Sequence, residues 1–81
     1  MVMEMDTVDI LGTFNEFRAR AAEKHWPTLE EDVRLSAALR AFLAQRPSEE
    51  TFARELHGVP LTARMLYVLW TSPPTWNTEP R

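Results

Sequence analysis

The stretch Leu61–Trp76, LTARMLYVLWTSPPTW, constrains this chain more than any other. Six consecutive apolar residues, Met65 to Trp70, run into a Pro73-Pro74 step, and Trp76 follows. A run without a polar side chain is unfavourable in water, so it has to be covered by the rest of the chain or by another molecule. Periodicity alone does not separate helix from strand in such a run. Leu61-Thr62-Ala63-Arg64 enters it with good helix formers and no partner strand is evident, so a helix is predicted from Thr62 to about Thr71. The prolines beyond it stop any regular helix.

Size limits what can cover the run. Eighty-one residues make one domain near the lower limit for a self-sufficient core. The chain has no cysteine, hence no disulfide, no thiolate nucleophile and no thiolate zinc ligand. Dense packing of three Trp, four Phe and one Tyr, or a second subunit, is what remains to add stability. The longest apolar run is far below the ~20 residues of a membrane span. The acidic start MVMEMDTVDIL lacks the basic region of a signal peptide, so no membrane association and a cytoplasmic location are expected.

Helix punctuation is clear. Thr13-Phe14-Asn15-Glu16 and Thr28-Leu29-Glu30-Glu31 fit the capping box, and Pro47-Ser48-Glu49-Glu50 supplies a third start with Ser48 as N-cap. Pro27 and Pro47 are read as the ends of the first two helices, and Gly58 as a left-handed C-cap. These signals predict helices at about 14–25, 29–45, 48–57 and 62–71. The first presents Phe14, Phe17 and Ala21, with Ile10 a turn earlier and Trp26 at its end. The second carries Leu29, Val33, Leu35, Ala38, Leu39, Phe42 and Leu43 around nearly half its circumference, which suits a central helix. The third buries Phe52, Ala53 and Leu56. The expected fold is all-α, a compact bundle of about four short helices in one domain over 1–81. It comprises an N-terminal arm (1–12), a helical core (13–71) and an irregular tail (72–81) with Pro73, Pro74 and Trp76. MVMEM alternates weakly and is read as a short strand or a frayed end.

No catalytic constellation stands out. Glu30-Glu31-Asp32 and Glu49-Glu50 fall in first turns of helices, where the helix dipole accounts for them, and His25 and His57 fall near helix ends. There is no Gly-rich phosphate loop, no G-x-S-x-G and no metal-ligand spacing. Neither enzymatic activity nor a cofactor or metal is expected. The net charge of −3 is uneven: residues 1–33 hold eight acids against three bases, and residues 34–81 four against six, all six arginine. Such sparse arginines suit solvated helix faces better than a phosphate-binding stripe.

Two partner classes follow. Thr51–Leu69 has the outline of a helix-turn-helix that would use Arg54, Thr62 and Arg64 on DNA, in a dimer. Its spacing from Ala53 to Gly58 is one residue longer than usual. Its second helix, Ala-Arg-Met-Leu-Tyr-Val-Leu-Trp, lacks the polar side chains that read base edges. The favoured expectation is a non-catalytic protein-binding domain, an accessory subunit, adaptor or inhibitor, whose partner is another protein or a second copy of itself. Arg64, Met65, Tyr67, Trp70 and Trp76 are its predicted contact residues, because aromatic and arginine side chains dominate interface hot spots. Trp76 has two readings: an exposed aromatic-proline tail, or a cap folded back on the core. At least one exposed indole is expected.

Leu39-Arg40-Ala41-Phe42-Leu43, Pro47, Phe52-Ala53-Arg54-Glu55-Leu56 and Leu66-Tyr67-Val68-Leu69-Trp70-Thr71-Ser72-Pro73-Pro74 together resemble the DsrC/TusE sulfur-relay family. The resemblance covers residues 39–74, about half of the chain. In that family a long helix with an LR-x-F/Y step precedes a proline-started short helix, and an LY-x-LF segment runs into Gly-Pro; here Pro73 replaces the glycine. The family carries sulfur as a persulfide on a cysteine in a flexible C-terminal arm. This sequence has no cysteine and reaches Arg81 where that arm is expected to continue. The resemblance therefore implies a cysteine-free relative that docks to partners or regulates them, without sulfur transfer.

Overall fold

The computed structural model describes residues 6–76. Within them the chain forms α1 (Thr7–Ala22), α2 (Leu29–Ala44), α3 (Glu49–Leu56) and α4 (Ala63–Thr71), with no strand among the described residues. The fold is all-α, as the punctuation predicts. MVMEM and the tail beyond Trp76 lie outside the described residues. α1 and α2 form an antiparallel hairpin, α4 lies on α2, and α3 packs on α1. Ile10, Phe14 and Phe17 from α1 meet Leu35, Ala38, Leu39 and Phe42 from α2, and Leu56, Val59, Met65 and Val68 close the core. An aromatic series leads outward from it. Phe14 meets Phe42 edge-on at 5.4 Å, Phe42 stacks on Phe52 at 6.2 Å, and Phe52 meets Trp76 at 5.1 Å.

α1 begins seven residues earlier than predicted. Asp6 is its N-cap, accepting from the Asp9 amide at 2.9 Å. Thr13 is no cap: its hydroxyl donates to the Asp9 carbonyl at 2.8 Å inside the helix. The stripe Ile10, Thr13, Phe14 and Phe17 shows why, since i, i+3, i+4, i+7 spacing carries the buried face upstream of Phe14. Residues 7–12 are therefore helix rather than arm. The surface of α2 also differs from expectation. Leu29 and Val33 are 72% and 50% exposed, so only the five residues of its apolar set from Leu35 onward face the core. Ala53 on α3 is exposed too.

The helix ends are set by backbone rather than by proline. α1 stops at Ala22, where Lys24 takes a left-handed φ of 64°. The Lys24 amide donates to Ala21 and that of His25 to Arg20, which closes the helix in a Schellman motif before Pro27 is reached. α2 keeps the predicted Thr28/Glu31 capping box and ends before Arg46, again left-handed at φ 51°. α3, capped by Ser48, closes in a type II turn: His57 has φ −61° and ψ 123°, Gly58 has φ 80°, and the Val59 amide donates to Leu56 at 3.0 Å. Arg18 of α1 holds this end. Its Nε donates to the His57 carbonyl at 2.7 Å, and its other guanidinium nitrogens donate to the Glu55 carbonyl and the Asn15 side chain. It thereby satisfies carbonyls that a helix terminus leaves without partners.

Backbone substitutions test these ends. Lys24→Gly relieves a left-handed non-glycine residue and is expected to raise stability by roughly 0.5–1 kcal/mol. Gly58→Ala is expected to lower it by at least about 1 kcal/mol, because φ is positive there and a Cβ would stand 3.2 Å from Arg18 Cγ. Urea unfolding of the two variants against the parent chain measures both signs.

Candidate functional site

The site is the outer side of α4, and it is created by how α4 is rotated. Thr62, almost fully buried, is the N-cap: its oxygen accepts from the Met65 amide at 3.1 Å, and its hydroxyl donates to Asp32 Oδ1 at 2.6 Å. Arg64 Nε stands 3.8 Å from Oδ2 of the same carboxylate. Asp32 lies in the first turn of α2, so one side chain of the central helix fixes both the start of α4 and its turn about its own axis. α4 then runs parallel to α2, its far end reaching Ser72 and Pro73 beside Leu43 and Ala44.

With that rotation Met65 and Val68 enter the core and Leu69 packs partly against it. Ala63, Leu66, Tyr67 and Trp70, at i, i+3, i+4 and i+7, form one outward stripe. Leu66, Tyr67 and Trp70 are 53%, 61% and 83% exposed. Arg64 borders the stripe. Beyond it the α2–α4 seam opens into a shallow cavity of about 180 Å³ lined by Val33, Ser36, Ala37, Arg40 and Arg64. Arg40 also borders a second cavity of about 400 Å³, with Arg46, Leu43, Ala44, Ser72 and Pro73. Arg40 and Arg46 make no ion pair among the described residues. The surface is thus an apolar aromatic stripe with an arginine-bearing margin.

Tyr67, Trp70 and Arg64 come together as the sequence suggests, but Met65 does not. It is completely buried, because two positions along a helix turn a side chain about 200° from Tyr67 and into the core. Trp76 is also removed from the contact set. Its ring packs on Phe52, so the folded-back cap is the arrangement found. Leu66 was missed. Its signal lay in the 63/66/67/70 spacing, which becomes readable only once Met65 is assigned inward. The exposed indoles are Trp70 and, at the α1–α2 connection, Trp26 at 66%.

The residues of the helix-turn-helix outline do not form one basic face. Thr62 is buried in its hydrogen bonds, Arg64 lies beside Asp32, and Arg54 has Glu55 at 3.4 Å. α3 and α4, both fully described, are not packed on each other, unlike the two helices of that motif. Among the described residues no helix is long and apolar enough to cross a membrane. Compared with family models, curated proteins and solved structures, the chain finds no match.

The role of Asp32 is open to a double-mutant cycle. Thr62→Val removes the cap and the bond to Asp32, and is expected to cost about 2 kcal/mol. Asp32→Ala, combined with it, should cost at least about 1 kcal/mol less than the sum of the single changes. Additive losses in urea unfolding would show that Asp32 does not hold α4.

Proposed function

We propose that this chain is a non-catalytic protein-binding domain, an accessory subunit, adaptor or inhibitor, whose docking face is the outer side of α4. One observation carries this reading: Leu66, Tyr67 and Trp70 share one stripe of a helix whose opposite side is locked in the core. Single exposed apolar residues are ordinary on protein surfaces, but a contiguous patch of large ones is characteristic of interaction sites. Tyrosine and tryptophan bring large contact area at little conformational cost, and a fixed helix presents them already ordered. Arg64, Arg40 and Arg46 suit a polar margin that would add orientation and encounter rate more than affinity. With no cysteine in the chain, the DsrC/TusE-like pattern contributes a docking role to this reading and no sulfur chemistry.

The test is affinity capture from native-host extract on the immobilised chain. Retention of a specific protein is expected for the parent and for Trp26→Asp, with at least a tenfold loss for Trp70→Asp and Tyr67→Asp. The substituted side chains are largely exposed, so thermal unfolding should fall only slightly, most for Trp70→Asp, whose carboxylate meets the carbonyl end of α4. Capture indifferent to Trp70→Asp and Tyr67→Asp would overturn the proposal.

A further inference from the structure

The apolar stripe of α4 is self-complementary, and we infer that its occupant is a second copy of this chain. The two α4 helices pack antiparallel about a two-fold axis passing between Leu66 and Tyr67. This inference rests on the proposal that the outer side of α4 is a docking face.

Side-chain size supports the antiparallel arrangement. Centred between Leu66 and Tyr67, it sets Ala63 opposite the partner's Trp70 and Leu66 opposite the partner's Tyr67. The smallest residue of the stripe thus faces the largest, at both ends of the contact. A parallel pair would set tryptophan against tryptophan at one end and alanine against alanine at the other, which splays the helices and leaves a void.

Charge selects the same arrangement. Arg64 is the only charged residue of α4. A parallel pair would bring the two Arg64 side chains together. The antiparallel pair carries each toward the C-terminal turn of the facing helix, where the carbonyl end of the dipole attracts a cation. Two α4 dipoles running in opposite directions are favourable as well. The closed two-fold contact also uses the same patch on both copies, so this stripe is fully used and does not extend into a filament.

The area is sufficient for a weak, reversible dimer. Taking roughly 200 Å² for a whole side chain of this size, the exposed parts of Leu66, Tyr67 and Trp70 amount to on the order of 400 Å² per copy. Full coverage of these parts would bury at most about 800 Å² in the pair, and Ala63, Arg64 and Thr71 at the margin bring that upper bound to the ~1,000 Å² at which specific interfaces begin. A contact of this size dissociates on dilution.

Sedimentation equilibrium between about 1 and 300 μM tests the inference. The weight-average mass of the parent chain should rise from 9.4 kDa toward twice that value, and Trp26→Asp should behave identically. Leu66→Glu and Tyr67→Lys should each remain monomeric, and should unfold thermally like the parent chain at the dilute end of this range, where it too is monomeric. Mixed in equal amounts, these two variants should form a heterodimer, because the new carboxylate of one faces the new ammonium of the other. A parent chain that stays monomeric, or a dimer that survives both single substitutions, overturns the second-copy inference. Failure of the mixture to associate overturns the antiparallel register. A monomeric parent that still captures a protein through Trp70 shows that the face is real and its occupant is a different chain. Capture indifferent to Trp70 removes the docking face itself.

Discussion

The hydrogen bond from Thr62 to Asp32 decides more about this molecule than any single contact in its core. A helix with alternating apolar and polar stripes orients itself, since only one rotation buries the apolar side. α4 has no such instruction between Met65 and Trp70, where every side chain is apolar. Within that run hydropathy alone marks no one side for burial. The buried N-cap removes that ambiguity: its 2.6 Å bond to a carboxylate on α2 is satisfied in one orientation, and breaking it would leave the buried Thr62 hydroxyl without that partner. A polar contact worth little in net energy therefore selects which apolar residues become core and which become surface.

The rest of the fold is arranged to make α2 a firm reference for that contact. α1 braces it along one side through Phe14 and Phe17. Arg20 and Arg34 lie over the Phe17 ring, at 5.6 and 5.1 Å, and both reach Glu16. Exposed ion pairs of this kind add little stability individually, but they share partners across the α1–α2 hairpin. α3 is only eight residues long and would be marginal alone. The Arg18 guanidinium at its carbonyl end and the Phe42–Phe52–Trp76 contacts hold it. Trp76 thereby belongs to the fold, whereas Trp70 is left 83% exposed.

The sequence made the helix starts more legible than the ends. Thr28 and Ser48 cap through local side-chain bonds within four residues, and such signals are visible in a single chain. The cap at Asp6 is masked in the sequence by the competing box at Thr13, whose hydroxyl the helix uses internally. The ends depend on left-handed backbone at Lys24 and Arg46, residues with no intrinsic preference for it, and the nearby prolines are the stronger but misleading local signal. For the site, Tyr67 and Trp70 could be singled out by composition. The opposite fates of Met65 and Leu66 depended on Asp32, some thirty positions away, which no local pattern contains.

Folding alone gives no reason for the chemistry of the outer stripe. α4 needs its inner residues, Met65 and Val68, to complete the core, and Thr62 to set its rotation. Positions 63, 66, 67 and 70 contribute little to that core, so polar side chains there would leave it intact and raise solubility. Instead they carry an alanine and three large hydrophobic residues, in an order that places small against large when the helix is reversed upon itself. In a domain this small, association through such a surface also adds stability to that of its own core. Association through α4 would protect the helix whose orientation defines the interface, coupling the strength of the fold to the occupancy of the face.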